Sequence, residues 1–307
     1  MDLSSSLGHL RLRNPILSAS GTFGHGLEMQ HFAPPQRLGG LVSKTVTPAP
    51  RPGNPAPRIR ETEAGFLNSI GLENRGVEAY VEDVVPTLRG VETLIVTNVG
   101  AETPEGFAEM VARLDGCDEI GAFELNLSCP NVGGGKLPFS TDPPVAEAIL
   151  RAARAETSKP LWAKLSPNVT RIGDMARAVE AGGADGVTAV NTLLGMQVDW
   201  RSGRPGLATV MGGYSGVGIK PVALRCAYEC VTAVSIPVIG CGGIGSADDV
   251  LEFLAVGCRA VQVGTASFGD PGLLGRLPQE VGALLEAEGH ANLEGVIGCL
   301  RREPAMA

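Results

Sequence analysis

The stretch Ala122-Phe123-Glu124-Leu125-Asn126-Leu127-Ser128-Cys129-Pro130-Asn131 begins as a buried β-strand and ends in a group of polar side chains. Its apolar residues suit the interior of a sheet, and a proline cannot continue a hydrogen-bonded ladder. Amides, a hydroxyl and a thiol follow the strand closely, and three glycines come soon afterwards at 133–135. We therefore expect Cys129 to handle a proton at the base of a loop, while the asparagines hold a planar ligand rich in carbonyl groups.

This strand is one of eight apolar segments that are mostly followed by helices. The predicted strands cover residues 15–17, 41–43, 93–97, 122–127, 161–164, 186–191, 237–240 and 260–263. The predicted helices cover residues 77–88, 104–114, 144–157, 172–181, 221–234, 247–256 and about 273–288, and a hairpin is expected at 58–61 and 65–68. Eight such units favour an α/β fold of the TIM (β/α)8 barrel type. We expect a single domain over 1–307 with insertions near 46–72, 132–143 and 194–219, the last of them polar.

Polar residues or glycines follow each predicted strand, at the ends that would meet at one mouth of the barrel. They are Ser20, Lys44, Asn98, Asn126, Lys164, Asn191, Gly242-Gly243 and Gly264-Thr265. Each residue taken alone could have a purely structural role, since asparagine often ends a secondary-structure element and a lysine side chain can extend to solvent. Lysines and asparagines at five strand ends together are hard to explain as packing. They predict an active site, because barrel enzymes carry theirs at this mouth.

Glycines after the seventh and eighth predicted strands suggest a phosphate site. They expose backbone N–H groups, and serines stand near the starts of the next helices at 246 and 267. The bland alternative is that these glycines only permit tight turns. A phosphate here, with amides and lysines across the mouth, fits flavin mononucleotide (FMN) with its ring over the barrel. No G-x-G-x-x-G follows a strand, which argues against a Rossmann-type dinucleotide site.

Composition argues against several other classes of protein. The formal net charge of −8 gives no electrostatic footprint for nucleic acid. Seven cysteines without a C-x-x-C pair favour a reducing compartment, and four scattered histidines give no metal site. There is no basic and apolar leader and no apolar run of about 18 residues. We therefore expect a cytoplasmic protein without a membrane anchor.

Several segments between residues 7 and 271 resemble those of dihydroorotate dehydrogenases. They are residues 14–21, 53–58, 67–72, 126–131, 164–168, 190–192, 242–244 and 263–265. Each segment is short, but their combination is specific. The resemblance implies an FMN-dependent oxidation of (S)-dihydroorotate to orotate in the biosynthesis of UMP.

The resemblance also implies roles for individual residues. Cys129 would be the catalytic base, Lys44 would contact both substrate and cofactor, and Lys164 would stabilise the reduced flavin ring. The implied substrate-binding residues are Lys44, Asn68, Ser69, Ile70, Gly71, Leu72, Asn126, Asn191 and Thr192. The implied cofactor-binding residues are Ser20, Lys44, Thr45, Asn98, Asn126, Lys164, Val190, Gly216, Gly242, Gly243, Gly264 and Thr265.

Cysteine at position 129 and the short N-terminus resemble the catalytic subunit of class 1B enzymes. Those enzymes work with a second subunit that carries FAD and an iron–sulfur cluster and passes electrons to NAD. We expect such a partner, around a homodimer of this chain in a heterotetramer. The loop 132–142 could close over the substrate or simply lie at the surface, and Cys241 is unexpected in the turn before the phosphate glycines.

Three other functions stay open at this point. A class 1A homodimer that reduces fumarate shares Cys129 and both lysines. A flavin-free, phosphate-binding isomerase or synthase could use Cys129 and Lys164 on a sugar phosphate. A noncatalytic flavin-binding or pyrimidine-binding protein would leave the thiol among the amides without a purpose.

Overall fold

Eight parallel strands close into a barrel in the computed structural model, which describes residues 1–128 and 139–301. The strands of this part are β1 (Ser5–Leu7), β2 (Leu10–Leu12), β3 (Ile16–Ser18), β4 (Gly40–Val42), β5 (Ile59–Thr62), β6 (Gly65–Asn68), β7 (Leu94–Val99), β8 (Ala122–Asn126), β9 (Leu161–Leu165), β10 (Gly186–Ala189), β11 (Leu193–Met196), β12 (Val198–Asp199), β13 (Arg204–Pro205), β14 (Met211–Ser215), β15 (Val238–Cys241) and β16 (Ala260–Val263). The barrel order is β3-β4-β7-β8-β9-β10-β15-β16, and β16 pairs with β3 to close it. The predicted barrel is confirmed.

Helices connect most of the barrel strands. Those of the described residues are α1 (Gly76–Ala79), α2 (Pro104–Asp115), α3 (Pro143–Arg154), α4 (Ile172–Ala181), α5 (Lys220–Ala233), α6 (Ala247–Ala255), α7 (Ala266–Gly269) and α8 (Leu273–Ala287). Thr103, Asp142 and Ser246 accept a hydrogen bond from a first-turn amide and so begin α2, α3 and α6. None of the helices in the described ranges is long and apolar enough to cross a membrane.

The predicted helix at 77–88 is not a single α-helix. The chain leaves α1 for a π-helical turn at Tyr80–Val84 and a 3-10 turn at Val85–Leu88. Pro86 has no N–H to continue the α-helical hydrogen-bond pattern, and its ring clashes with the carbonyl of the residue four positions earlier. Two smaller differences concern strand ends: β10 stops at Ala189, and Cys241 is the last residue of β15 instead of part of the following turn.

The insertions build a second sheet beside the barrel. Its order is β11-β14-β6-β5, so the confirmed hairpin of β5 and β6 pairs with a strand from the later insertion. The polar insertion expected near 194–219 contains strands, which the sequence analysis did not predict: β11 to β14 lie between Leu193 and Ser215. Most of the insertion at 132–143 lies outside the described residues. We propose that the barrel and the second sheet form a single domain, as the sequence predicts.

The interior of the barrel changes from apolar to polar along its axis. An apolar cluster fills one end with Leu17, Val42, Val96, Ala122, Trp162, Ile239 and Ala260, and the N-terminal hairpin of β1 and β2 adds Leu7 and Leu12. Inward positions lie two residues apart along a strand. Two residues beyond Val96, Ala122, Trp162 and Ala260 stand Asn98, Glu124, Lys164 and Gln262. The carboxyl ends of the strands therefore enclose a buried polar layer.

Substitution of Gly240 by alanine in β15 is expected to destabilise the barrel. A Cβ at this buried position would lie 2.3 Å from Phe253 Cδ1, so α6 would have to move away. We expect a loss of about 1–3 kcal/mol in the free energy of unfolding, measured by urea denaturation. Gly116→Ala is the control, because its added methyl meets no atom within 4 Å. Equal stabilities for the two variants would contradict this packing.

Candidate active site

A buried carboxylate and a buried ammonium lie at the centre of the polar layer. Glu124 is fully buried and Lys164 is 4% exposed. Glu124 accepts hydrogen bonds from Asn98 Nδ2 at 2.7 Å, Thr188 Oγ1 at 2.7 Å and Gln262 Nε2 at 2.5 Å. Lys164 Nζ donates to Gln262 Oε1 at 2.7 Å and lies 3.7 Å from Glu124 Oε1. Side chains from five strands thus form or contact this ion pair.

The ion pair keeps Lys164 charged. Burial by itself lowers the pKa of Lys164, whereas negative charge at its neighbours Cys241 and Glu124 raises it, and the net direction is upward. Burial raises the pKa of the Cys241 thiol, while the nearby Lys164 lowers it. A carboxylic acid is ordinarily a far stronger acid than a thiol, and Glu124 Oε1 lies 3.7 Å from the ammonium, so geometry and acidity both favour Glu124 as the counter-charge of Lys164.

A chain of amides and hydroxyls extends from this pair toward the mouth. Thr45 Oγ1 donates to Asn98 Oδ1 at 2.5 Å and accepts from Asn126 Nδ2 at 3.2 Å. Asn191 Nδ2 donates to Asn126 Oδ1 at 3.3 Å. The structure thus brings together Lys164 and the three asparagines that the sequence placed at strand ends. Their side chains are held by one another, so their polar edges are fixed before any ligand arrives.

The loop 69–72 is shaped by its neighbour Asn54. Asn54 donates from its backbone to Ile70 O at 3.0 Å and from its side chain to Ser69 O at 3.0 Å. Gly71 has φ +78°, and a Cβ there would lie 2.7 Å from Asn54 N, so only glycine fits. Ser69 Oγ is buried and has no hydrogen-bond partner within the described residues. A buried hydroxyl of this kind is costly unless a ligand satisfies it.

Two further predicted residues flank this loop. Lys44 is partly buried, and burial lowers its pKa below the ordinary value, against a smaller opposing effect of Glu73. Asn68 ends β6 and donates to Gly213 O at 3.3 Å in the paired strand β14. Among the described residues, no acceptor is hydrogen-bonded to the Lys44 ammonium, which leaves it open to an anionic ligand.

The glycine turn after β15 packs against the start of α5. Gly243 has φ +78°, and a Cβ there would lie 2.7 Å from Lys220 N. Lys220 Nζ donates to Asp249 Oδ1 at 2.6 Å, and Asp249 Oδ2 accepts from Gly245 N at 2.8 Å. The ion pair of Lys220 with Asp249 therefore stabilises the conformation of the turn between β15 and α6.

The remaining predicted residues lie around the same mouth, with one exception. Thr265 Oγ1 donates to Ser215 Oγ at 2.8 Å, which joins the end of β16 to the residue before Gly216. Ser20 and Gly264 follow β3 and β16, and Gly242, Val190 and Thr192 follow β15 and β10. Cys129 lies outside the described residues, as does most of the proposed lid, and the last residue described before it is Ser128. Ser128 N donates to Asn126 Oδ1 at 3.2 Å.

Sequence reasoning missed the residues beneath the mouth. Glu124, Thr188 and Gln262 lie inside predicted strands and do not stand at a strand end. The sequence does carry a signal for Glu124 and Gln262. Each is a polar residue within an otherwise apolar strand, two positions after an alanine that faces the barrel interior. Within the described ranges, no group of three or more His, Cys, Asp or Glu side chains could hold a metal ion.

Known proteins match almost the whole chain. The profile of the family described as dihydroorotate dehydrogenase matches residues 2–285. The chain is 47% identical over 298 residues to "Dihydroorotate dehydrogenase B (NAD(+)), catalytic subunit" of Trichlorobacter lovleyi, with 97% of this chain and 98% of that protein covered. It is 47% identical over 302 residues to the protein of the same name from Solidesulfovibrio magneticus, with 98% and 99% covered.

A solved structure of DHODH from Eimeria tenella in complex with ferulenol has a similar fold. It matches with a TM-score of 0.81 at 23% sequence identity and covers 98% of this chain and 89% of its own. At this identity the likeness supports the barrel fold alone.

Substitution of Asp249 by asparagine should make stability less dependent on acid pH. Burial alone raises the pKa of this carboxyl, but Lys220 and the Gly245 amide hold it below its ordinary 3.8. The ionised carboxylate therefore stabilises the fold above about pH 4, and that contribution is lost as pH falls through the lowered pKa. We expect Asp249→Asn to cost about 1–2 kcal/mol at neutral pH and progressively less below pH 4, measured by urea denaturation.

Asp248→Asn is the matched control, since it removes the same charge from the same turn of α6 at an exposed position. A stability difference between Asp249→Asn and the wild type that stays constant from neutral pH to about pH 3 would contradict the role given to this carboxylate.

Proposed function

This chain belongs to the dihydroorotate dehydrogenase family, and we propose that it oxidises (S)-dihydroorotate to orotate with bound FMN, in pyrimidine biosynthesis. The observation that carries the proposal is the charged Lys164 held beneath a fixed set of amides at the barrel mouth. A sugar-phosphate isomerase needs no such extended amide surface, whereas a flavin and a pyrimidine both present alternating N–H and C=O groups.

The residues at the mouth fit a flavin nucleotide in two respects. Lys164 would supply a fixed positive charge to a reduced flavin ring, which carries negative charge. The turns at Gly216, Gly242 and Gly243 have positive φ and no room for a side chain, which suits the close approach of a phosphate to backbone amides. When bound, the flavin would accept a hydride from the substrate.

We assign the cofactor ring to Ser20, Lys44, Thr45, Asn98, Asn126, Lys164 and Val190, and its phosphate to Gly216, Gly242, Gly243, Gly264 and Thr265. The substrate ring would be held by Asn68, Asn126, Asn191, Thr192 and residues 69–72. The open ammonium of Lys44 suits the substrate carboxylate, and Ser69 Oγ supplies a buried group that gains a partner when the substrate binds.

Cys129 would take the proton from the ring carbon next to the one that loses the hydride. A thiol of ordinary pKa, about 8.5, is mostly protonated at neutral pH, so nearby positive charge is needed to favour the thiolate. Lys44 and Lys164 are the candidates for that charge. Asn126 orients the chain that leads to Cys129 through its hydrogen bond from Ser128 N.

We further propose that this chain is a catalytic subunit that passes electrons to NAD through a partner with FAD and an iron–sulfur cluster, as the names of its relatives suggest. The later insertion offers a surface for a second copy, since Leu194, Met196 and Met211 of the sheet and Trp200 of the turn between β12 and β13 are each more than half exposed. We also propose a homodimer core within a heterotetramer, in the cytoplasm.

The absorbance of the purified protein tests the central proposal. We expect a flavin band that bleaches when dihydroorotate is added without oxygen. The Cys129→Ser variant should bleach about 10²- to 10⁴-fold more slowly, because a hydroxyl is a far weaker base than a thiolate. A protein that carries no flavin after reconstitution, or one whose flavin ignores dihydroorotate, would overturn the proposal and favour the sugar-phosphate alternative.

The electron acceptor is tested separately with the same protein. We expect the isolated chain to reduce little NAD in the presence of dihydroorotate, and the chain with its FAD and iron–sulfur partner to reduce it at the rate of flavin turnover. Rapid oxidation of the reduced chain by fumarate, with no effect of a partner, would instead support the class 1A alternative.

A further inference from the structure

Glu124 has no role in the function proposed above, although it occupies an unusual position. Glu124 and Lys164 are the two charged side chains that are buried within the described residues. A buried charge is tolerated only when it is paired and hydrogen-bonded, and Glu124 meets both conditions. Its partners come from β7, β9, β10 and β16, so the barrel is built around this carboxylate.

The position of Glu124 relative to the mouth is fixed by strand register. Asn126 pairs with Lys164 across β8 and β9, whereas Glu124 pairs with Trp162 of the apolar end. Glu124 therefore lies one inward position below Asn126 and level with Asn98, which donates a hydrogen bond to it. It can act on the cofactor only through Lys164 and the neighbouring amides.

We infer that Glu124 is a positioning residue that holds Lys164 protonated before the flavin is reduced, so that reduction takes up one proton for two electrons. This inference rests on the proposed function. Dihydroorotate gives two electrons and one proton to the flavin as hydride, and its second proton goes to Cys129. With Lys164 already charged, the anionic reduced ring gains its counter-charge without a further proton.

Without the carboxylate of Glu124, we expect Lys164 to be protonated during flavin reduction instead of before it. Lys164 would then be a buried ammonium without a counter-charge, and such a group loses its proton. It would regain the proton only when the ring becomes negative, so reduction would take up two protons. The ionisable groups that act on Lys164 in the described structure are Glu124 and Cys241, so the experiment includes a variant of each.

The experiment is a measurement of the flavin midpoint potential against pH in the flavin-loaded protein. One proton per two electrons lowers the potential by about 30 mV per pH unit, since a tenfold change in a two-electron equilibrium is 29.6 mV. We expect this slope for the wild type and about twice this slope for Glu124→Gln. Glu124→Asp keeps the charge and should keep the wild-type slope.

One more variant separates charge from structure. Thr188→Val removes a hydrogen bond to Glu124 without changing any charge, so its slope should match the wild type. The wild-type slope keeps the test available even if Glu124→Gln folds poorly, because a slope of about 60 mV per pH unit in the wild type would mean that Lys164 is not charged before reduction.

The outcomes distinguish this inference from the proposed function. A wild type that binds no flavin or is not reduced by dihydroorotate would overturn the function itself. A wild type that is reduced normally, with an unchanged slope in Glu124→Gln, would overturn only the role of Glu124. A doubled slope in Cys241→Ala and not in Glu124→Gln would assign the counter-charge to Cys241 and also overturn the inference.

Discussion

The pairing of Glu124 with Lys164 is the interaction on which the rest of the barrel mouth depends. Two opposite charges can remain inside a closed barrel because each is satisfied by amides and hydroxyls from several strands. Breaking one partner leaves an uncompensated charge in a dry interior, so the pair is a constraint on every strand that touches it. Asn126 is oriented by this pair through a chain of hydrogen bonds, since Glu124 contacts Asn98, Asn98 contacts Thr45 and Thr45 contacts Asn126.

This arrangement explains how a rigid fold can present so many polar groups to a ligand. The amides at the mouth satisfy one another while the site is open, and each keeps further hydrogen-bonding capacity for a ring that arrives from outside. The barrel supplies the fixed part of the site, and the loops that carry Lys44 and Ser69 supply groups that still lack partners. A ligand would therefore satisfy the unpaired polar groups of the loops without changing the hydrogen bonds inside the barrel.

The sequence alone predicted most of the barrel, because each buried strand is a local apolar run with a polar residue at its end. Lys164, Asn98, Asn126 and Asn191 could be found in this way. Glu124 and Gln262 could not, since their partners lie on distant strands and only barrel closure shows that the inward positions converge. The sheet built from β6 and β14 was missed for the same reason, since its two halves lie more than 140 residues apart in the chain. The assignment of Cys129 as base stays a prediction.

The hairpin of β1 and β2 places Leu7 and Leu12 against the apolar end of the barrel, so the axis is sealed on that side. Polar molecules and charges have only one way in and out. In the proposed function, an electron carrier would not reach a bound flavin along the axis from below, because aliphatic and indole side chains would separate donor from acceptor. It would approach the rim of the mouth from the side, while substrate and product would exchange through the centre of the opening.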